Sequence, residues 1–543
     1  MTKRRSRQVA RRGLTLMLLA GGCGGGDGPA ARGSASGGRK ILRVAYDREV
    51  DVLNALTSQN LADIMFSMVE GLVTTDEHNT YIPVLAETIP TEENGLVVRL
   101  DDGRVEMSWP LRQGVRWHDG ELFTSADVCF TWRFVSSPGS QVYNRDQYLG
   151  IQECRAPDDH TVVFVWDGVY GYYAGLFEAI LPEHVLGGKT TEEIVSYTPY
   201  NRGEETVGTG PFKFAEWKTG EYIRVVRNDD YWRGPDFPQI DEVVWSFIPD
   251  LNTRLNALKA GRHHYGQIAP TQVDEVASLP GYEAHLVSSN TFMHFDVSVN
   301  TERGRALFHD RQVRRALFHA IDREAIADQL MQGTVTVAHS PINPTSPYHN
   351  PDVPRVAFDP ELSRGLLDDA GWTVGPDGIR VRNGLRLSFE MLNRAGSTDR
   401  IAIAQVIQAQ LKDIGVEVTF QTLESAAWTQ RWRSGSWEGI VSAWFLPADP
   451  SITGLYACGG PNNMTGLCDS ELDELMEESD RHLDFRGRKQ ALDVAQVRLA
   501  EIYRMLPIYY NVVPQLVSTD VGNFRGSGTN FGSFWNLWEW TLE

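Results

Sequence analysis

A chain of 543 residues is too long for one hydrophobic core, so we expect two or three domains. The composition, 42% hydrophobic and 10% aromatic, is typical of a folded protein and excludes a largely disordered chain. The formal net charge of −20 repels nucleic-acid phosphates and anionic lipid headgroups. A nucleic-acid-binding function is therefore excluded from the main hypotheses.

The first forty residues are typical of an export signal. A basic segment without acids, residues 1–13, precedes the short apolar run 14–20. That run cannot span a bilayer, which takes about 20 residues. Small residues before Cys23 resemble the lipobox of bacterial lipoproteins, although Leu19 lies one position further from the cysteine than that pattern prefers.

These features predict an exported and lipid-anchored protein. We predict a signal peptide over residues 1–22, lipid attachment at Cys23 and a flexible anchored linker over 23–40. An ordinary secretory signal is one alternative, and twin-arginine export through Arg11 and Arg12 is another. The predicted location is the periplasm or the outer face of the cell membrane.

Strand and helix signals alternate from residue 41 onward. Residues 41–47 predict a strand, and residues 60–73 predict a helix that ends near Gly71. The segment 114–128 then concentrates polar side chains, namely His118, Asp119, Glu121, Thr124, Ser125 and Asp127. Such a set is compatible with a catalytic or metal-binding loop, and also with a turn followed by a capped helix.

A longer helix is predicted in the second half of the chain. Apolar residues at helical spacing follow Ser397 or Thr398 as the cap and end at Gly415. An alternating strand is predicted over residues 416–423. Strands and helices in mixed order favour an α/β or α+β architecture.

The four remaining cysteines fit an oxidising compartment. Cys458 and Cys468 flank a Gly-, Pro- and Asn-rich loop of nine residues, so we predict a disulfide between them. A second disulfide between Cys129 and Cys154 has less support from spacing. Paired C-x-x-C or histidine spacing is absent from the sequence, so we predict no metal site and no other cofactor.

Generic enzyme motifs are also absent or broken. Residues 183–190 end like a phosphate-binding loop, but Glu183 stands where the first glycine is needed. The sequence contains no H-E-x-x-H and no G-x-S-x-G. We therefore predict no catalytic residues.

Several sequence blocks together resemble the family 5 extracellular solute-binding proteins of ABC importers, which include dipeptide, oligopeptide and nickel binders. The blocks follow the family order over residues 83–90, 109–132, 208–232, 248–261, 311–333, 366–372 and 504–511. In that family the second block is a structural signature, a strand, a turn and a capped helix. The resemblance therefore favours the turn interpretation of Asp119 and Gly120 over catalysis.

The resemblance implies an α/β fold of the class II periplasmic-binding-protein type, with two lobes, a hinge and an extra third domain. The first domain would be discontinuous, the second domain would be the addition of this family, and the third would form the opposite lobe. The implied bounds are 41–75, 206–286 and 516–543 for domain I, 76–205 for domain II and 287–515 for domain III. Hinge strands are expected within residues 285–300 and 509–520.

In peptide-binding members of the family, the Asp of a W-x-x-D motif pairs with the α-amine of the ligand. Here Trp444 begins the matching stretch, but Pro447 occupies the acid position, so Asp449 is the candidate replacement. The alternative is that Asp449 is a turn residue. Asn54 and Tyr456 are further candidate ligand contacts.

The resemblance implies a binding protein that captures a solute, a peptide in the first place, between its lobes and delivers it to the membrane subunits of an ABC permease. It would act as a monomer held at the membrane by its lipid. A non-peptide solute, such as a nickel complex or an oligosaccharide, is the alternative. A secreted hydrolase and a receptor or chaperone are further alternatives.

Overall fold

The computed structural model describes residues 38–58, 63–142 and 144–543. The predicted signal peptide, Cys23 and the linker up to residue 37 lie outside the described residues. Lys40–Glu543 form one compact unit. Among the residues that the structure describes, the helices are too short or too polar to cross a membrane.

The strands alternate with helices along the described residues. The strands are β1 (Ile41–Tyr46), β2 (Val73–Thr75), β3 (Tyr81–Pro83), β4 (Val97–Arg99), β5 (Val105–Pro110), β6 (Ile151–Asp158), β7 (Thr161–Trp166), β8 (Phe212–Lys218), β9 (Tyr222–Arg227), β10 (Glu242–Phe247), β11 (Tyr265–Gln267), β12 (Tyr282–Val297), β13 (Thr336–Val337), β14 (Thr373–Val374), β15 (Arg380–Arg382), β16 (Leu385–Arg386), β17 (Ser388–Arg394), β18 (Glu417–Leu423), β19 (Gly439–Phe445), β20 (Leu506–Ser518), β21 (Val521–Gly522) and β22 (Thr541–Leu542). The helices are α1 (Asp63–Phe66), α2 (Ser125–Ser136), α3 (Glu183–Leu186), α4 (Thr191–Ser196), α5 (Thr198–Asn201), α6 (Leu251–Lys259), α7 (Val273–Val276), α8 (Glu302–Phe308), α9 (Arg311–His319), α10 (Arg323–Ala325), α11 (Pro360–Asp369), α12 (Thr398–Asp413), α13 (Ser425–Arg433), α14 (Thr453–Tyr456), α15 (Ser470–Arg481) and α16 (Phe485–Glu501).

One large mixed sheet runs through the molecule. Its order among the described residues is β18-β17-β19-β12-β20-β11-β1-β10-β9-β8, and β13 pairs with β20. We call β1 and β8–β11 the N-terminal half-sheet, β17–β19 the C-terminal half-sheet, and β12 and β20 the linking strands. Each half-sheet has its own buried apolar core, which gives the α/β fold its two lobes.

The linking strands are the longest strands of the described chain, with 16 residues in β12 and 13 in β20. Their register shifts between Ser288 and Phe292, which interrupts the ladder near the middle of β12. The backbone of Gly528 packs closely against Ser288 and Ser289 at this interruption. The predicted hinge segments thus coincide with the strands that join the two half-sheets.

A separate four-stranded antiparallel sheet, β4-β5-β7-β6, packs with α2 in another core. The Thr124 side chain accepts from the Ala126 N–H, and Asp127 accepts from the Thr124 N–H, so helix α2 begins with reciprocal capping. His118 is bonded to the backbone of Gly208 and Gly210, and burial lowers its pKa to about 4. The segment 114–128 therefore forms a turn and a capped helix.

Two local predictions need correction. The helix predicted over residues 60–73 ends at Phe66 in the structure, while residues 59–62 lie outside the described residues. Gly71 packs against the backbone of Phe177 and Glu178, and Val73 already pairs in β2, so tertiary contacts override the helical pattern. Ser397 precedes α12 as predicted, but its side chain makes no capping hydrogen bond.

Candidate functional site

The two half-sheets point the carboxyl ends of their parallel strands toward each other. Strand β1 is parallel to β10 and β11, and β17 is parallel to β18 and β19. Gln267 at the end of β11 pairs with Gln515, and Phe445 at the end of β19 pairs with Thr291. Both edges therefore face the middle of the linking strands.

Ligands of open α/β sheets bind beyond the carboxyl ends of the strands, because loops and helix starts gather there. A space between two such edges receives side chains from both lobes. We call this region, between the ends of β1, β10 and β11 and the ends of β17–β19, the facing edges. It is the candidate functional site.

Trp444 lies at the facing edges, one residue before the end of β19. Its ring centre is 5.4 Å from that of Trp432, which stacks on Trp428 at 5.5 Å with an interplanar angle of 11°. Trp444 and Trp432 are half-buried, whereas Trp428 is buried. The row of indoles offers a broad apolar wall at this edge.

Asp449 follows β19 in a loop and is already paired within the protein. Its Oδ1 lies 3.0 Å from Nε of Arg488 on α16, and both side chains are buried. Burial raises the pKa of Asp449 to about 6, while the Arg488 charge and the Tyr348 hydroxyl lower it. Burial opposes the charge of Arg488 as well, but Asp449 and neighbouring groups raise the Arg488 pKa above its usual value.

Arg488 also reaches across to segment 76–205, which was predicted as domain II. Its guanidinium carbon lies 3.8 Å from the ring centre of Tyr172, and the Tyr172 hydroxyl donates to Asp480. A Cβ on Gly171 would meet the Arg488 guanidinium and the backbone carbonyl of His482, so the missing side chain leaves room for this approach. The Asp449–Arg488 pair therefore sits in a contact between distant parts of the chain.

The other two candidate contacts occupy different places. Tyr456 lies on the same side as Trp444, in one core cluster with it, and its buried hydroxyl has no hydrogen-bond partner among the described residues. Asn54 is fully buried after β1, on the opposite side of the facing edges, and its Oδ1 accepts from the Leu56 N–H at 3.1 Å. The structure thus brings Trp444 and Tyr456 into one cluster, places Asp449 in the loop between them with Arg488 as its partner, and puts Asn54 after β1.

Both predicted cysteine pairs are bonded in the structure. Cys129 on α2 joins Cys154 on β6 with a Cα separation of 5.6 Å. Cys458 joins Cys468 with a Cα separation of 4.9 Å. The second bond closes the loop that follows α14, next to Tyr456.

Two arginines at the facing edges, Arg394 and Arg400, were not predicted from the sequence. Arg394 ends β17, donates to the Ser425 hydroxyl at 2.8 Å and lies 5.9 Å from the Trp428 ring centre. Arg400 is half-buried in the first turn of α12. Burial lowers the pKa of Arg400, Asp399 raises it and Arg394 lowers it further.

Neither arginine forms an ion pair within the described residues. A cation in the first turn of a helix opposes the helix dipole, so Arg400 was detectable from sequence as an electrostatically unfavourable residue. Asp399 acts on Arg400 through its charge without forming an ion pair. The two arginines therefore make this corner of the facing edges suited to an anion, above all a carboxylate that can bind in bidentate fashion.

The comparisons with known proteins agree with this architecture. The sequence model described as bacterial extracellular solute-binding proteins, family 5 Middle, matches residues 80–466. The oligopeptide-binding protein AppA of Bacillus subtilis is 28% identical over 515 residues, covering 92% of each chain. The nickel-binding periplasmic protein of Escherichia coli is 27% identical over 393 residues, covering 70% of this chain and 71% of that protein.

A solved structure has the same fold. The oligopeptide-binding protein AppA from Bacillus subtilis, in complex with a nonapeptide, superposes with a TM-score of 0.73 at 26% identity. The match covers 93% of this chain and 99% of that one.

Proposed function

Because this chain belongs to the family 5 bacterial extracellular solute-binding proteins, we propose that it captures a peptide between its lobes and delivers it to an ABC permease. The observation that carries the proposal is the pair Arg394 and Arg400 at the facing edges, which would bind the carboxylate end of a peptide. The relatives named for oligopeptide binding support the same solute class.

The indole row supplies the second element of recognition. Trp444 and Trp432 are half-buried, and the row continues to Trp428, whose ring centre lies 5.9 Å from the Arg394 guanidinium. Flat apolar walls suit peptide side chains of varied shape. Asn54 and Tyr456 would complete the site from the two sides. Water between such walls and a ligand would permit several sequences to bind.

Asp449 has an internal ion-pair partner, which bears on its proposed role as the amine anchor. A ligand ammonium at Asp449 would have to join a carboxylate that Arg488 already neutralises. The amine-anchor hypothesis stays a prediction, and the ion pair favours a structural role that holds the loop after β19. A solute that lacks an amine would be compatible with this arrangement.

Ligand-induced stabilisation tests the proposed function. A solute that binds only the native state stabilises it by about 2.7 kcal/mol at a hundredfold excess over Kd. We expect Tm to rise with peptides from a panel of di- to decapeptides, and native mass spectrometry of the purified protein to show a bound peptide. A panel without any shift would contradict peptide binding and direct the search to nickel complexes or oligosaccharides.

The proposed location and attachment rest on the N-terminal sequence. We propose export to the outer face of the cell membrane or the periplasm, where the chain acts as a lipid-anchored monomer beside the permease subunits. A single lipid-bearing terminus gives one membrane attachment.

Substitution of Cys23 tests the anchor. In Cys23→Ala we expect the exported chain to move from the membrane fraction to the soluble fraction, or to stay unprocessed, because the lipid acceptor is gone. Fractionation and intact-mass measurement check this result. A variant that is processed and membrane-bound like the wild type would exclude Cys23 as the lipid site.

A further inference from the structure

A partly open cavity of about 40 Å³ lies between α1, the β2–β3 hairpin and the C-terminal segment. A water molecule needs about 10–15 Å³ of such space, so the cavity accommodates a group of a few heavy atoms. Much of its wall is apolar or aromatic, including Phe66, Val73, Ile82, Phe531, Trp535 and Trp538.

Three charged side chains also line the cavity, namely Glu70, Glu178 and Arg233. Glu70 is saturated with donors, because it accepts from the Tyr231 hydroxyl at 2.7 Å and from the Trp232 indole at 2.8 Å. Burial raises the pKa of Glu70, and the Arg233 charge and these donors lower it. Glu70 therefore needs no external partner.

Glu178 accepts a hydrogen bond from one side chain, whereas Glu70 accepts hydrogen bonds from three. Asn530 Nδ2 donates to Oε1 of Glu178 at 2.6 Å, and no cation forms an ion pair with Glu178 among the described residues. Burial raises the pKa of Glu178 to about 7, and the Asn530 hydrogen bond lowers it. The titratable groups that its charge reaches at close range are Tyr81 and Tyr148, which carry no positive charge.

We propose that this cavity binds a small primary ammonium group, with the Glu178 carboxylate as its counter-ion. The ammonium N–H groups would donate to the second oxygen of Glu178. The wall also contains the rings of Phe66 and Phe531, which attract a cation, while Arg233 and Arg525 already cover one face of Trp538 and of Trp535. At a pH above the Glu178 pKa of about 7, two carboxylates face one guanidinium in this cavity, and a monovalent cation balances the excess negative charge. The site is distinct from the arginines at the facing edges, so its test does not depend on peptide binding.

The experiment uses the mature chain and methylammonium chloride as the probe, with sodium chloride and tetramethylammonium chloride at equal ionic strength. We expect a saturable rise in Tm with methylammonium alone. Sodium supplies no N–H donor, and tetramethylammonium has none and is bulkier. Glu178→Gln keeps an acceptor for Asn530 but removes the charge, so we expect at least a tenfold loss of apparent methylammonium affinity.

Glu183→Gln is the matched control, because Glu183 lies five positions after Glu178, is partly exposed and is paired with Arg133 on α2, outside the cavity wall. It should leave the methylammonium response unchanged. Phe66→Leu, which removes an aromatic ring from the cavity wall, should weaken the methylammonium response and provides a second variant. Equal Tm rises with all three salts, or a methylammonium response that survives Glu178→Gln, would overturn the proposal.

Competition identifies the source of the ammonium group. Displacement of methylammonium by a peptide with a free amine, but not by its N-acetylated form, would support the site with the bound solute as the source. A methylammonium response that persists beside bound peptide would support the site with a free amine as the source.

Discussion

Replacing Arg488 by Met is expected to destabilise the protein by about 3–5 kcal/mol, because it leaves the Asp449 carboxylate buried without a cation. Asp449 and Arg488 are 7% and 1% exposed, so water cannot replace the lost partner. The substitution also removes the guanidinium from the face of Tyr172. Urea unfolding at pH 7.5, read as the free energy of unfolding, measures the effect.

Two controls isolate the ion pair. Arg481→Met removes an arginine whose side chain is 63% exposed, and we expect a change within about 0.5 kcal/mol. The double variant Asp449→Asn with Arg488→Met removes both charges and should recover much of the lost stability, because no unpaired charge remains buried. A double variant as unstable as Arg488→Met would assign the loss to packing against Tyr172.

The stability difference between wild type and Arg488→Met should depend on pH in a defined direction. Arg488 lowers the pKa of Asp449, which burial nevertheless raises to about 6, so removing Arg488 lets that pKa rise further. Protonated Asp449 carries no charge and needs no cation. The difference in stability between wild type and Arg488→Met should therefore shrink as pH falls from 7.5 toward 5. A difference that grows over this range would contradict the ion-pair explanation.

Several strands and helices were predictable because nearby residues in the sequence determine them. The strand over 41–46 and helix α12 follow from side-chain periodicity, and the start of α2 follows from the spacing of Thr124 and Asp127. The early end of α1 was not predictable, because Gly71 meets the backbone of Phe177 and Glu178, more than a hundred residues away. Tertiary contact decided that boundary.

The candidate site was only partly predictable for the same reason. Trp444 and Asp449 were found because the resemblance locates the segment that carries them. Arg488 lies on a separate helix and Tyr172 in another part of the chain, so no spacing rule connects either residue with Asp449. The Glu178 cavity brings together α1, a hairpin and the C-terminal segment, and it exists only after folding.

Arg394 and Arg400 at the facing edges are expected to contribute strongly to peptide affinity. In the double variant Arg394→Met with Arg400→Met, we expect peptide affinity to fall by about 3–5 kcal/mol, more than a hundredfold, because charge-assisted hydrogen bonds contribute about 1.5–3 kcal/mol each. Isothermal titration with a peptide identified by the binding panel measures Kd. Arg433→Met, an exposed arginine at the end of α13, is the matched control and should change Kd less than twofold.

Modified peptides assign the lost affinity to an end of the ligand. If the arginines bind the carboxylate, a C-terminal amide should bind wild type as weakly as the unmodified peptide binds the double variant. The amide should lose nothing further in the variant, since both changes remove the same interaction. N-acetylation tests the other end, where the paired state of Asp449 predicts a small effect from that residue. An amide that binds wild type as tightly as the free acid would remove Arg394 and Arg400 from carboxylate recognition, and would leave the indole row as the main source of affinity.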